Sequence, residues 1–526
     1  VFKELCKLEI KIFKRLRKLD PNSWLIMKSG IRLDQFYGIE IDNYAHETAK
    51  LSMWIAEHQM NLFFKEVLGD SKPTLPLSLE AKITRANAAR IDWNKICPIK
   101  ENKEVIVFGN PPYLTYGKRN EEQKEDMNLV FGSSSKLDYI SLWFLKASKY
   151  IEGKNSKFAF VSTNSINQGE QVSMLWKNIF SLNLEINFCH KSFKWSNAAK
   201  NKAGVTCSII GISNKNNLDK KIYEDNIFKK VKKINAYLLP TENYFIEKRK
   251  KPISDLPPMT LGDMPVDNGN LLLSDLEKNE LISAEKNSNK FIQKFIGADE
   301  FLNNINKWCL WINDKDYSNA KEILSIKKRL DNVKEYRLKS KKKATRNYAA
   351  KPYRFMEIRK QYNQSIFIPL TTSEKREYLP IGFADKDTIV GNSNSVVYNA
   401  PIYLFGIISS KIHLIWARAL AGRLETRLRY SSDIVYNTFP FPRINNEQIR
   451  KIEVISLDIL DEREKYPEKK LVEIYTSMPN RLFNLHQELD LVVENCYNFR
   501  GNVTDEDKLK DLFELHKNMT EKEVLL

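Results

Sequence analysis

The tetrapeptide Asn110-Pro111-Pro112-Tyr113 carries the most specific chemical signal in this 526-residue chain. It follows an apolar segment, residues 105–108, that predicts a buried strand. The two prolines restrict the backbone, so the Asn110 side-chain oxygen and a proline carbonyl are held as two neighbouring hydrogen-bond acceptors. Ligands of open α/β sheets bind where strands end, which makes this loop a candidate active site.

Two adjacent acceptors suit the two N–H donors of an exocyclic amino group. The lone pair of such a nitrogen is delocalised into its ring, which makes it a poor nucleophile. Accepting both N–H bonds favours a tetrahedral nitrogen whose lone pair can attack a methyl donor. The Tyr113 ring can stack on the reacting ring and hold it in line. Without such chemistry, the same residues would form only a proline-rich turn with a capping asparagine.

The elements that must position this loop follow a pattern typical of a parallel α/β sheet. Over the first 215 residues, amphipathic helical stretches alternate with short apolar runs. The predicted strands cover residues 36–40, 105–108, 158–162, 186–189 and 205–212. Helices are predicted over residues 45–62 and 137–151, where apolar residues recur at helical spacing.

Changes in pattern along the chain predict three domains, with boundaries at 1–215, 216–442 and 443–526. The middle segment shows short mixed elements with turn signals and no repeating strand-helix period, which predicts a mixed α/β domain. The last segment follows a Phe-Pro-Phe-Pro breaker and is rich in Glu and Lys. It predicts a helical tail that is interrupted near Gly501.

The chain carries 84 Lys and Arg residues against 66 Asp and Glu, a formal charge of +18. A folded protein this basic favours a polyanionic partner. Residues 321–360 alone hold 15 basic and 4 acidic side chains, with tyrosines between them. Such a mixture suits a nucleic-acid surface, although a charge run can also be a solvated helix face. The cations expected to contact DNA are Arg337, Lys341, Lys342, Lys343, Arg346 and Arg354.

The tetrapeptide resembles the hallmark of the S-adenosylmethionine-dependent amino-methyltransferases of DNA, and tyrosine at its fourth position is typical of the N6-adenine enzymes. The resemblance implies a Rossmann-like class I methyltransferase sheet. It also implies S-adenosylmethionine as cofactor and an adenine flipped out of double-stranded DNA as substrate. Catalysis is then assigned to Asn110, Pro111, Pro112 and Tyr113. A catalytic region that precedes a large recognition region matches the gamma arrangement of the family.

The same resemblance implies a cofactor site and an aromatic cover for the base. Glu40 is similar to the acid that holds the cofactor ribose and Asp92 to the acid that pairs with the cofactor adenine, while Asn110 also borders the cofactor. Taken alone, Glu40 and Asp92 would be ordinary helix caps. Phe193, with Trp195 as second choice, is similar to the aromatic residue that covers the flipped base, and a core-filling aromatic is the alternative.

Residues 423–442 resemble the end of the recognition domain in single-chain restriction-and-modification enzymes, which adds Arg423, Arg427 and Arg429 to the expected DNA contacts. The Gly-rich loop that precedes the position of Glu40 in the family has no match in this chain. The first 19 residues resemble the helix that follows that loop. We therefore expect a fragment, a chain that pairs with a separate piece, or a protein that has lost methyl transfer. We also expect an upstream N-terminal or nuclease segment that is not in this chain, and exposed edges in the sheet.

Other functions share some of these features. A glutamine methyltransferase of release factors shares the tetrapeptide, an RNA methyltransferase would share the basic surface, and a DNA-binding or specificity module would need no catalysis. No nuclease site is evident, since Glu357-Ile358-Arg359 is half of one at best, and no metal is predicted. Six scattered cysteines predict reduced thiols, and no apolar run is long enough to cross a membrane. A prokaryotic cytoplasmic protein is expected.

Overall fold

The structure, a computed structural model, contains two compact units. The first comprises Val1–Ser162, Asn178–Asn187 and Ile209–Asn217, and the second comprises Thr163–Lys177, Phe188–Ser208 and Leu218–Leu526. The structure describes residues 1–20, 29–69, 80–132, 136–195, 205–225, 227–359, 363–424, 426–499, 501 and 503–524.

Helices and strands alternate in the first part of the chain, as predicted. The elements are α1 (Phe2–Leu19), β1 (Tyr37–Glu40), α2 (Asn43–Leu68), β2 (Lys82–Arg85), α3 (Trp93–Ile96), β3 (Val105–Gly109), α4 (Glu121–Phe131), α5 (Ser141–Ile151), β4 (Ser156–Thr163), α6 (Glu170–Phe180), β5 (Leu184–Trp195), β6 (Val205–Asn214), β7 (Lys220–Glu224) and β8 (Ile227–Val231). All five predicted strands are present, and β2 was missed because its four residues, Lys-Ile-Thr-Arg, include two charges. The helix predicted from residue 137 begins at Ser141.

Helices α1 and α2 pack together because each places apolar residues at helical spacing on one face. Phe2, Cys6 and Ile10 of α1 form one buried cluster with Met60, Phe64 and Leu68 of α2, and Leu33 from the segment between the two helices joins it. The side chain of Asp42 accepts a hydrogen bond from the Ala45 N–H and begins α2. Gly69, with φ of 88°, ends it in the left-handed conformation that glycine adopts without strain.

The strands of this region form two separate sheets. β1 and β2 pair in parallel with each other, and a six-stranded sheet has the order β3-β4-β6-β5-β7-β8. β3 runs parallel to β4 and, within the described ranges, pairs with no other strand. Ile106 and Phe108 on β3 are 53% and 54% exposed. The expected apolar surface at a sheet edge is therefore present.

The remaining chain combines short strands with helices, which confirms the predicted mixed α/β architecture and helical tail. The elements are β9 (Met259–Leu261), β10 (Leu272–Ser274), α7 (Asp275–Ala284), β11 (Ile292–Ile296), α8 (Ala298–Asn303), β12 (Lys307–Leu310), α9 (Tyr317–Glu322), α10 (Leu324–Leu338), α11 (Lys343–Asn347), β13 (Ser365–Pro369), β14 (Thr371–Thr372), β15 (Gly382–Ala384), β16 (Ile389–Val390), β17 (Asn394–Tyr398), α12 (Ile402–Ser409), α13 (Lys411–Leu420), β18 (Gly422–Leu424), β19 (Arg427–Arg429), α14 (Asn446–Glu464), α15 (Leu471–Ile474), α16 (Asn480–Cys496) and α17 (Asp505–Val524).

Three further sheets organise this part, with orders β10-β12-β11-β16, β15-β13-β17-β9 and β14-β19-β18. The antiparallel strands β13 and β17 are buried along their whole length. Helix α14 approaches α12 closely at Gly406, where an added Cβ would lie 2.4 Å from the Ile452 side chain. In the described part of the chain, no helix is long and apolar enough to cross a membrane. All six cysteines are free thiols.

Candidate active site and nucleic-acid surface

The tetrapeptide forms the loop that leaves β3. Pro111 is buried, while Asn110 is exposed and Tyr113 is half-buried. The Tyr113 hydroxyl donates a hydrogen bond to Asn110 Oδ1. This contact directs the amide oxygen of Asn110 towards the tyrosine, and a second lone pair on that oxygen stays available for another donor. The loop therefore brings the predicted acceptor and the predicted stacking ring together.

Glu40 lies at the end of β1 and does not cap the following helix. Its Oε1 accepts from the backbone N–H groups of Ile41 and Asp42, at 2.9 and 3.2 Å. The cap of α2 is Asp42 instead, whose Oδ1 accepts from the Ala45 N–H at 2.8 Å. The helix-cap interpretation of Glu40 is therefore wrong, and its half-buried carboxylate is held at the strand end by its own loop.

Asp92 is exposed and caps the short helix α3. Its Oδ1 accepts from the Asn94 N–H at 2.9 Å and from the Asn94 side-chain amide at 3.3 Å. These bonds, led by the backbone contact, lower the pKa of Asp92 below its usual value. Asp92 is therefore a helix cap, and its lowered pKa keeps the carboxylate ionised. Both hydrogen bonds use the same carboxylate oxygen, Oδ1.

Sequence reasoning missed a buried carboxylate, Asp126, which ties the Asp92 loop to α4. Its side chain accepts from Arg90 Nε at 2.6 Å, from the Tyr139 hydroxyl at 2.6 Å and from the Asn87 amide at 3.3 Å. Burial alone would raise the pKa of Asp126, but these three hydrogen bonds outweigh it and lower the pKa. Asp126 lies in an acidic helical segment, so the sequence shows it only as part of a solvated face.

Two further contacts hold the same loops. Lys146 Nζ donates to the carbonyls of Ala89 and Ile91, at 2.7 and 2.6 Å, and burial lowers its pKa. The Tyr139 N–H donates to the Leu114 carbonyl at 2.8 Å, directly after the tetrapeptide. Because Tyr139 also binds Asp126, the loop that carries Asp92 and the loop that carries Asn110 share one polar network.

The predicted base-covering aromatics lie on β5. Phe193 is half-buried there. Trp195 ends the strand, and its side chain lies outside the described residues. Their role against a flipped base stays a prediction.

Arg337 corrects the predicted DNA surface. Its side chain is completely buried, and its guanidinium donates to backbone carbonyls at 2.7 to 3.4 Å. These carbonyls belong to Pro265, Val266, Tyr348, Lys351 and Arg354. The prediction that Arg337 contacts DNA is wrong, because helical spacing places it with the buried residues of α10 and the carbonyls use up its donors.

The other cations that were expected to contact DNA differ in the hydrogen bonds and ion pairs that they form within the protein. Lys341, Lys342 and Lys343 are exposed. Arg346 is exposed too, although its Nη1 donates to the carbonyls of residues 340 and 341. Arg354 forms an ion pair with Asp314 at 2.7 Å that raises the pKa of the arginine. Of these cations, the three lysines are the most accessible to a polyanion.

The arginines near residue 425 separate onto two faces of the sheet β14-β19-β18. Arg427 and Arg429 are exposed on β19, with the buried Leu428 between them. Since successive side chains of a strand point to opposite faces, both arginines share the face opposite to Leu428. Arg423 pairs with Leu428 across the sheet and therefore lies on the inner face, half-buried.

The described residues contain no group of His, Cys, Asp and Glu side chains that could hold a metal ion.

Comparisons with known proteins identify related domains along the chain. Family models match in succession: the MmeI DNA-methyltransferase domain over residues 1–224, the MmeI target recognition domain over 240–443 and the MmeI C-terminal domain over 444–524. DNA methyltransferase A of Bacillus subtilis (strain 168) is 44% identical over 528 residues, which cover 99% of this chain and 60% of that protein. The chain thus spans less than two thirds of that relative.

A solved structure has the same architecture. It is the Type IIL restriction-modification enzyme MmeI in complex with DNA, which is 39% identical and superposes with a TM-score of 0.87. The match covers 99% of this chain and 71% of that one.

Proposed function

The chain belongs to the MmeI family of restriction-modification DNA methyltransferases, and we propose that it methylates the N6 amino group of an adenine at a specific site in double-stranded DNA. S-adenosylmethionine is the proposed methyl donor. The observation that carries the proposal is the loop after β3, where an exposed Asn110 precedes the buried Pro111 and binds the Tyr113 hydroxyl. We propose that this occurs in the prokaryotic cytoplasm.

The loop would act on the amino nitrogen of the base. Asn110 Oδ1 and the Pro111 carbonyl accept its two N–H bonds, so the nitrogen lone pair leaves conjugation with the ring. The bound cofactor supplies an electrophilic methyl group. The surplus proton on the nitrogen passes to water after the transfer, and Tyr113 keeps the Asn110 oxygen oriented through its hydrogen bond.

Two carboxylates suit the cofactor as acceptors. Glu40 at the end of β1 would accept from the ribose hydroxyls, and Asp92 from the adenine amino group, since carboxylates only accept hydrogen bonds when ionised. The lowered pKa of Asp92 keeps it ionised. The network around Asp126 and Lys146 holds the Asp92 loop in place.

Recognition is assigned to the later part of the chain. We propose a catalytic domain over 1–215, a recognition domain over 216–442 and a helical segment over 443–526. Phe193, or Trp195, would cover the flipped adenine. The exposed cations Lys341, Lys342, Lys343, Arg346, Arg427 and Arg429 would contact the DNA.

The decisive experiment replaces Asn110 with alanine. We expect Asn110→Ala to abolish methyl transfer to mixed-sequence duplex DNA from labelled S-adenosylmethionine, while DNA affinity stays within a few-fold, because one acceptor for the amino group is lost. Asn446→Ala, at an exposed position of α14, is the matched control and should keep full activity. An Asn110→Ala variant with normal methyl transfer would refute the assignment.

A further inference from the structure

Three arginines of the second unit are largely buried and form no ion pair with a carboxylate in the part of the chain that the structure describes. We call Arg376, Arg418 and Arg423 the arginine trio. Arg376 is only 9% exposed, and the other two are half-buried. Among the residues that the structure describes, none of the three forms an ion pair with a carboxylate.

The trio is linked through backbone carbonyls and not through acids. Arg423 Nη2 donates to the Arg418 carbonyl at 3.3 Å, and Arg418 Nη2 donates to the Arg376 carbonyl at 2.9 Å. Arg376 Nη1 donates to Thr372 Oγ1 at 2.7 Å. A guanidinium has five N–H donors, so these bonds leave most of them unused. The Nε atoms of Arg376 and Arg423 are buried and have no partner within the described structure.

The trio comes from three separate elements that meet at the sheet β14-β19-β18. Thr372 and Arg423 both pair with Leu428, from opposite sides of β19, and so share the inner face of this sheet. Arg418 lies on α13, directly before β18. The site is thus built by tertiary structure, since Arg376 and Arg423 are 47 positions apart in the sequence.

The electrostatic setting favours an anion. Burial lowers the pKa of all three arginines, and the charge of Arg418 lowers that of Arg423 further. The acids that act against this effect, Glu374 and Glu377 and Asp505, form no ion pair with the trio. Buried charge is unfavourable unless it is paired and hydrogen-bonded.

We infer that the arginine trio is a binding site for a phosphate group. Guanidinium groups bind phosphate oxygens through paired N–H bonds, and each arginine of the trio uses only one Nη atom in the described hydrogen bonds. On the proposed function, on which this part of the inference rests, the group is a backbone phosphate of the bound DNA. The half-exposed Arg418 and Arg423 open the site to the surface.

The first test uses inorganic phosphate and needs neither DNA nor cofactor. Thermal unfolding is followed in phosphate and in chloride at equal ionic strength. Phosphate should raise the melting temperature of the wild-type chain by a few degrees more than chloride, because only the folded state holds the site. Arg423→Gln should lose this difference and Arg423→Lys should keep part of it. Arg450→Gln, an exposed arginine on α14, is the control and should behave as the wild type.

The second test identifies the source of the phosphate. DNA binding is measured against salt, and Arg423→Gln should weaken it about tenfold and make the salt slope shallower by about one. A series of duplexes, each with one methylphosphonate that removes the charge of a single backbone phosphate, is then compared. At one position the replacement should lower the affinity of the wild type but not the affinity of Arg423→Gln. If phosphate stabilises the wild type but no position behaves so, the site takes a free phosphate and not the DNA backbone.

The inference is overturned if Arg423→Gln and Arg376→Gln fold normally and keep both the phosphate response and the DNA affinity of the wild type. This outcome is separate from a failure of the proposed function. Loss of the phosphate response leaves the Asn110→Ala result untouched, and normal methyl transfer by Asn110→Ala leaves the phosphate measurement untouched.

Discussion

Arg337 and the arginine trio are both buried guanidinium groups of the second unit, yet their surroundings differ. Arg337 lies on α10 and donates to the carbonyls of five residues, two that precede this helix in the sequence and three that follow it. The trio makes one described donation each and leaves two buried Nε atoms without a partner. Burial alone therefore does not show what an arginine does, and the number of donors already used separates a structural residue from a ligand site.

Asp126 extends the comparison to the first unit. Asp126 is buried, with 1% exposure, as Arg337 is. Its carboxylate also accepts hydrogen bonds from several partners. Arg90, Tyr139 and Asn87 all donate to its carboxylate. On this basis Arg337 and Asp126 should be needed for stability, whereas the trio should be needed for binding.

The largest effect should come from Arg337→Ala. The change leaves several buried carbonyls without a donor, so the free energy of unfolding should fall by about 3 kcal/mol or more. Chemical denaturation measures it, with the exposed Arg450→Ala as a control expected to stay within about 0.5 kcal/mol. A stability close to wild type would remove the distinction between Arg337 and the trio.

Asp126→Asn should have a smaller effect on stability and should also weaken binding at the proposed cofactor site. Loss of the charge weakens the bonds from Arg90 and Tyr139, and the expected cost is about 2 kcal/mol. Because the Asp92 loop is held by this network, calorimetric titration should show weaker S-adenosylmethionine binding. Glu121→Gln, exposed on the same helix, is the matched control. Unchanged binding of the cofactor would restrict Asp126 to a role in stability.

Removing a charge from the trio should cost little stability. Arg376→Gln and Arg423→Gln, measured without phosphate, should each change the free energy of unfolding by less than about 1 kcal/mol, and stabilisation is compatible with a charge that lacks a partner. Chemical denaturation in chloride tests this. A loss as large as that of Arg337→Ala would show that the trio is structural.

The smallest effect on stability is expected on the exposed lysines. Replacing Lys341, Lys342 and Lys343 with glutamine should change the free energy of unfolding by less than about 0.5 kcal/mol. The slope of the logarithm of DNA affinity against the logarithm of salt concentration should become shallower by roughly one to three. The control replaces three exposed lysines of the tail, Lys451, Lys469 and Lys470. An unchanged slope would exclude the 341–343 surface from the DNA contact.

Local signals in the sequence predicted much of the fold. Apolar runs identified β3 and β4 because buried strands require them. The resemblance of the first 19 residues to a helix of the family agrees with α1. β2 was missed because only one of its four residues, Ile83, is strongly apolar. The tetrapeptide predicted the family, which the comparisons confirm.

The sequence by itself determined the chemistry that this protein offers: the Asn110 loop after a strand, the acids Glu40 and Asp92, and a strongly basic middle region. Only the tertiary structure decided which charges are available. It buried Arg337 among carbonyls, enclosed Asp126 between two loops and brought Arg376 next to Arg418. The sequence shows how many charged residues there are. Their solvation and their hydrogen-bond partners depend on residues that are distant along the chain.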